Sequence, residues 1–511
     1  MRVVVWHGWL LEGSGSNVAT ARVCEVLRAS GHDVMLLCQE PHLERFEWID
    51  AYGSVGAGGP GELTQRRDAS RAPGRCVVLR PVIGPTLPVF VVDRYEGFDD
   101  VKRFVDLTPD ELETYLHRNV EAVKAAVAWH GSEAAIFGHA IPGGAIARRA
   151  LGPHRAVVKI HGSDLEYAVR HQARYQELAH EGLASALAVA GPGREVLERT
   201  AAFVPEVRDL SRVVPPGVDV TSFRPRPRAE ALLEAAERLE RDPTTSRGRR
   251  ASMDADVARA LSDHDRDALD ALAGTYDQDV PDPDAATRLR YLAVTDEPVV
   301  GYLGKFIPQK GVELVLAAHR ATQHPSSALI VGFGSHREWL AALDIALASA
   351  DDATLEWLTS AGSIVIGRPQ RPATAAGRRD VVFTGRLDHR YAPASLAAMD
   401  VQVVPSTLPE AFGMVAAEGA AAGALIMVAR HSGLAEVAGA LEAEVGRPGL
   451  FSFEPGDDAV RHLADGIDTL LSLPVAERDE LRAAVSGFVA REWTWDRTAA
   501  RLLDVAGPAP A

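Results

Sequence analysis

Residues 400–419, DVQVVPSTLPEAFGMVAAEG, constrain this chain more than any other stretch. Val401, Val403 and Val404 make a short apolar run of the kind a buried strand shows, Pro409 closes a polar turn, and a helix opens near Phe412. In parallel α/β sheets, ligands bind outside the carboxyl ends of the strands, and helix N-termini offer unpaired N–H groups to phosphates. Gly413 at the helix mouth leaves room for a bulky anion to approach the backbone. Glu410 precedes the mouth, and Glu418 stands roughly 7–8 Å up the axis at 1.5 Å per residue. That is the separation between a bound phosphate and the ribose of its nucleotide. Taken alone, the two acids also fit a solvent-facing pair on an ordinary helix.

Three more stretches read the same way. GYLGKFIPQKG at 301–311 is a strand, a glycine turn and a helix start, carrying Lys305 and Lys310. LIVGFGS at 329–335 is an apolar strand ending in a Gly-x-Gly turn, and VVFTGRL at 381–387 is a third strand. With Glu410, Glu418 and ARHSGLAEV at 429–437, this order resembles the donor half of family-4 retaining glycosyltransferases, and the resemblance covers nearly the whole chain. It implies the GT-B fold: α/β, two Rossmann-like domains facing across a cleft.

The resemblance implies roles for matching residues. Glu410 contacts the donor sugar hydroxyls and Glu418 the ribose. The backbone of Phe412, Gly413, Met414 and Val415 lies against the diphosphate and sugar, and Lys305 and Lys310 neutralise the leaving group. Gly15, Gly334, Arg386 and Leu387 complete the donor side. His161 matches a first-domain histidine that touches the transferred sugar, with Gly13, His139 and Asp164 on the acceptor side. The family usually has Arg where Lys305 stands; Lys keeps the charge but cannot fork to a phosphate. Ser432-Gly433 stands where two glycines are common.

The chain has 511 residues, 47% hydrophobic and 24% charged, which suits a globular protein of two or more domains. A net charge of −16 argues against nucleic-acid binding, which needs a basic surface. Three cysteines without metal-ligand spacing (Cys24, Cys38, Cys76), no apolar signal core after Met1 and no membrane-length run lead to the expectation of a cytoplasmic protein. The basic clusters at Arg148–Arg155 and Arg66–Arg75 read as solvated loops, so peripheral membrane contact is not expected.

In chain order, RVVVW is a central strand, followed by a helix whose apolar residues (Val18, Val23, Val26, Leu27) recur at helical spacing. Gly13-x-Gly15 in the connecting loop lacks the third glycine of a dinucleotide fingerprint, with Val18 in its place. Residues 53–75, rich in Gly, Arg and Pro, read as a mobile loop. A helix over 108–130 opens with Thr108, Pro109 and acids. AAIFGHA and VVKIHGSD bring His139, His161 and Asp164 to strand C-termini.

Four segments are expected: an N-terminal acceptor domain over 1–220, an insertion over 226–296, a donor domain over 297–485, and a C-terminal helix over 486–511 returning towards the first domain. The insertion, rich in Arg, Asp, Glu and Ala, reads as helical, disordered around Thr244–Arg250 and peripheral to the chemistry. Ile366–Arg379 reads as an irregular break.

The function expected is transfer of a hexose from a UDP-, GDP- or ADP-sugar to a hydroxyl of a small molecule or glycan, with no tightly bound cofactor and no metal site. The rivals are a GT-B glycan phosphorylase, which needs a lysine-bound pyridoxal phosphate, an inactive carbohydrate-binding protein, and a nicotinamide dehydrogenase.

Overall fold

The computed structural model describes residues 1–66, 73–92, 95–273, 279–360, 364–366 and 379–507. Two compact units form: Met1–Gly217 with Trp493–Ala511, and Val218–Glu492.

The first unit is built on a parallel sheet. Its strands are β1 (Arg2–Trp6), β2 (Asp33–Leu37), β3 (Ala51–Gly56), β4 (Arg75–Pro81), β5 (Ala134–Gly138), β6 (Val157–Lys159), β7 (Ala188–Gly191) and β8 (Ser211–Val213). They lie in the order β8-β7-β6-β5-β1-β2-β4-β3, and two short antiparallel segments, Gly59–Pro60 and Thr64–Gln65, pair with β3. The central strands are buried on both faces, as apolar runs without alternation require. Residues 51–60 thus join the sheet instead of forming the expected loop, because Tyr52 and Val55 pair with β4 in register; residues 67–72 of that stretch lie outside the described residues. Helix α1 (Gly15–Ala29) starts at Ser14, whose hydroxyl accepts from the Asn17 N–H. Helix α2 (Pro109–His130) carries a full capping box between Thr108 and Glu111.

The second unit holds a six-stranded parallel sheet of β9 (Val299–Lys305), β10 (Ser327–Phe333), β11 (Val381–Phe383), β12 (Val401–Val404), β13 (Leu425–Ala429) and β14 (Ser452–Phe453), ordered β11-β10-β9-β12-β13-β14. From β9 the chain steps outward through β10 to β11, then returns to β12 on the other side of β9. The order therefore reverses between β9 and β12, the switch point at which ligands bind in open α/β sheets.

The insertion is ordered where it was expected to be disordered. Residues Pro243–Arg247 form a 3-10 turn, capped by Asp242, whose carboxylate accepts from the Thr244 N–H. Arg249 is buried, and its guanidinium forks onto the buried carboxylate of Glu338 at 2.7–3.0 Å. The insertion's flanking helices, Arg228–Glu240 and Ala285–Ala293, pack on each other. Tyr391 donates to Asp242 at 2.9 Å and Trp339 to Asp270 at 3.2 Å, which tie the segment to the body of the second unit.

The expected last helix is two. Val475–Glu492 stays with the second unit, and Trp495–Ala506, capped by Thr494, packs on α1 in the first. The Thr498 hydroxyl donates to the Pro215 carbonyl at 2.8 Å. Trp493 and Trp495 are buried. The irregular stretch at 366–379 falls almost wholly outside the described residues. Among the described residues, no helix is long and apolar enough to cross a membrane.

Candidate active site

In the second unit the turn after β9 and the turn after β12 are laced together. The Thr407 N–H donates to the Gln309 carbonyl at 2.9 Å. Lys310 at the tip of the first turn is ion-paired with Glu410 in the second. Glu410 also accepts from the Ser406 hydroxyl at 2.6 Å, and its own N–H donates to the Ser432 hydroxyl at 2.9 Å. His431 donates from Nε2 to the Ser406 carbonyl at 2.7 Å. Burial alone raises a carboxyl's pKa, but Lys310 and the Ser406 hydroxyl outweigh it and hold Glu410 below its ordinary range. Glu410 is therefore an ionised, oriented acceptor held by two donors, with Ser406 and His431 behind it. Neither of those supports was singled out from sequence; the polar composition of the turn was their one signal.

Helix α3 (Met414–Ala421) opens immediately after Gly413. Gly413 has φ +97°, and a Cβ there would stand 2.5 Å from Leu434 Cδ2, so a side chain is excluded twice over. Phe412 is buried beneath the mouth, while Met414 and Val415 are half-buried in the first turn. Glu418, one turn further on, is half-buried. Burial, with the Asp219 carboxylate nearby, pushes its carboxyl up to about 8, so at neutral pH it is mostly protonated and can donate as well as accept. The surroundings of the two glutamates shift them in opposite directions.

Lys305 ends β9 with its ammonium 5.9 Å from the centre of the Phe333 ring, and the Arg386 guanidinium lies 5.3 Å from the same ring. Gly334 follows Phe333, and its carbonyl accepts from the Arg337 N–H. Leu387 is buried beside Arg386. The residues of the second unit that the sequence suggested for a donor site thus lie at the carboxyl ends of β9, β10, β11 and β12, all on one edge of the sheet.

In the first unit, His139 and His161 come together with ring centres 4.6 Å apart. A third histidine, His7, sits 6.0 Å from His139 and 6.4 Å from His161. It ends β1 as the other two end β5 and β6, and that shared position was the overlooked signal. His7 contacts Asn17 Oδ1 through Nε2 at 2.8 Å, while Thr20 lies 3.2 Å from Nδ1. Burial, then the neighbouring His139, lower His7 to about 3; burial and the same cluster push His161 well down. Both are neutral imidazoles at physiological pH. Lys159, also missed, is buried beside them and lowered to about 8 by desolvation.

His139 is itself buried, at φ +70°, against Trp9 and Phe90. Asp164 is fully buried and accepts the Ala140 N–H at 2.5 Å, which braces the His139 turn. Gly13 has φ +88° just before the α1 cap, and Gly15 is the first residue of α1. Among the described residues, no group of three or more His, Cys, Asp or Glu side chains is arranged to hold a metal ion. All three cysteines are buried and unpaired, with desolvation raising the Cys38 thiol to about 12.

Residues 347–473, which include Glu410 and Glu418, match the family model described as "Glycosyl transferases group 1". No curated protein matches the sequence. Among solved structures, the sucrose-phosphate synthase of Thermosynechococcus elongatus is similar over 99% of this chain and 98% of its own, at 18% identity and TM-score 0.56. HepE of Anabaena, in complex with UDP and glucose, aligns over 98% of both chains at 12% identity and TM-score 0.54. An E. coli protein bound with UDP-2-fluoro glucose aligns over 100% of both chains at 10% identity and TM-score 0.52. The two parallel α/β units and these similarities show that the chain has the GT-B fold, and its residues 347–473 are similar to group 1 glycosyl transferases.

Proposed function

We propose that the chain is a retaining glycosyltransferase that moves a hexose from a nucleoside diphosphate sugar to a hydroxyl acceptor in the cytoplasm. The observation that carries the reading is the Lys310–Glu410 pair beside the Gly413 helix mouth, at the switch point of the second sheet.

The reaction breaks the bond between the anomeric carbon and the diphosphate oxygen. Charge develops on that oxygen, and Lys305, Lys310 and the N–H groups at the α3 N-terminus are the groups that stabilise it. Glu410, fixed by Lys310 and Ser406, accepts hydrogen bonds from the sugar hydroxyls. Glu418, protonated, meets the ribose. The departing phosphate oxygen takes the acceptor's proton as the acceptor oxygen bonds to the same face of the anomeric carbon, so no carboxylate nucleophile is assigned. In this reading Lys305 and Lys310 supply the positive charge that other transferases draw from a metal ion. His161, a neutral imidazole, hydrogen-bonds the transferred sugar, with His139 and His7 packed around it.

The test is thermal unfolding against UDP-, GDP- and ADP-sugars. A true donor at 100 times its dissociation constant adds about 2.7 kcal/mol to stability. UDP-glucose leads the panel because HepE and the E. coli protein were solved with uridine nucleotides. Retention is checked by NMR of the anomeric proton of the product. No stabilisation by any of the three classes, or an inverted product, rejects the proposal.

A further inference from the structure

The inserted segment does not stop at packing on the second unit. The stretch 279–282, just before its last helix, runs antiparallel to 384–386, the exit from edge strand β11. The Asp282 N–H donates to the Thr384 carbonyl at 2.9 Å, and the Arg386 N–H donates to the Val280 carbonyl at 3.1 Å, bracketing a bridge between Pro281 and Gly385. Gly385 has φ +72°, and a Cβ on it would lie 2.6 Å from the Asp282 nitrogen and 2.7 Å from the Val280 oxygen. From the other side, the Gly332 N–H donates to the Gly385 carbonyl at 3.0 Å. The β11 exit is therefore clamped between the insertion and the end of β10.

Buried charge anchors this clamp. Asp282 is 3% exposed and lies 3.3 Å from the Arg288 guanidinium, while Arg337 stacks its guanidinium 3.8 Å from the Phe383 ring centre just behind. The exposed end of the clamp carries a polar chain. Asp279 faces Arg386 at 3.5 Å, both side chains about two-fifths exposed. Arg386 lies over Phe333, and Lys305 lies near the same ring. A line of contacts thus runs from the insertion to the turn that faces the diphosphate. From the helix mouth at β12 to the β11 exit is three strand spacings, about 14 Å. On the nucleotide-sugar reading, a base that extends from phosphates at the mouth along this edge of the sheet would meet the β11 exit.

We propose that residues 279–282 of the insertion form one wall of the nucleoside pocket, and that Asp279, acting on Arg386, is a positioning residue that sets which base the donor carries. The proposal rests on the nucleotide-sugar reading given above. It departs from the sequence expectation that the insertion is peripheral, because the backbone of 384–386 is held by insertion residues and not by the core sheet alone.

The experiment measures binding of UDP, GDP, ADP and inorganic pyrophosphate to the full chain, to Asp279→Ala and to Asp279→Asn. It also follows amide exchange over 279–290 with and without the tightest nucleotide. Pyrophosphate reports the diphosphate end alone and serves as the control for folding. The expected result has two parts. In both variants the ratio of dissociation constants between the best and second-best nucleotides changes at least tenfold while pyrophosphate binding stays within twofold. In the wild type, exchange over 279–290 slows when the nucleotide binds. Unchanged base selectivity in either variant, unchanged exchange, or a wild type that does not discriminate among the bases overturns the proposal and leaves the donor reading standing. A wild type that binds pyrophosphate but none of the nucleotides overturns the donor reading itself, and this inference with it.

Discussion

Lys310 and Glu410 lie 100 residues apart in the chain and meet in one ion pair. Lys310 has two tasks in the proposed reaction: it opposes charge on the leaving group and it keeps Glu410 ionised and aimed. Lys310→Ala is expected to lower turnover by about 10²–10³, the usual cost of losing one transition-state donor, with a much smaller loss of nucleotide affinity. Single-turnover kinetics beside equilibrium binding separate the two, and turnover within a few-fold of wild type removes Lys310 from the mechanism.

Glu418 carries a different prediction at the same scale. Its carboxyl is raised from 4.5 to about 8 by burial, aided by Asp219. Between those values the folded chain keeps a proton that the unfolded chain releases, so the group's contribution to stability falls as pH rises through that window and is level above it. Glu418→Gln cannot ionise. The Tm difference between variant and wild type should therefore grow from pH 4.5 to 8 and then flatten. A difference independent of pH means that Glu418 is ionised in the folded chain.

At the scale of elements, the insertion and the helix after β10 are joined by Arg249 and Glu338, with side chains 2% and 0% exposed. Such a pair is weak evidence for net stabilisation, but removing one partner strands a buried charge. Glu338→Ala should cost about 3–5 kcal/mol in denaturant unfolding. The paired replacement Arg249→Met with Glu338→Leu should recover most of that loss. A cost under about 1 kcal/mol for Glu338→Ala means that water reaches the pair and the insertion is loosely held.

For the whole molecule, the insertion carries the prediction that departs from its sequence. A long surface insertion costs little in loop-closure entropy, which is why 226–296 reads in sequence as replaceable by a Gly/Ser linker without loss of donor hydrolysis. In the fold it pairs with the exit of edge strand β11 and neutralises Glu338, with Val280 and Asp282 bonded to 386 and 384. Replacement is now expected to lower Tm below that of Glu338→Ala and to abolish the stabilisation by nucleotide. A truncated chain that unfolds at the wild-type temperature and still responds to nucleotide restores the peripheral reading.

Much of the fold was open to reading because its signals are local. Apolar runs such as RVVVW and LIVGF specify strands buried on both faces, Thr108-Pro109 specifies a helix start, and Gly413 marks a helix mouth that a side chain could not enter. That the residues proposed for the donor side share one end of the sheet was legible for the same reason: they sit in the turns that follow strands, where a parallel sheet puts its ligands. What the sequence could not determine depends on which turns become neighbours. The Lys310–Glu410 and Arg249–Glu338 pairs and the three-histidine cluster join segments far apart in the chain. The opposite ionisation of Glu410 and Glu418 follows from burial and from one neighbouring charge each, Lys310 for the first and Asp219 for the second. Spacing along the chain carries no record of desolvation, so identical side chains eight residues apart shift in opposite directions only when the chain folds.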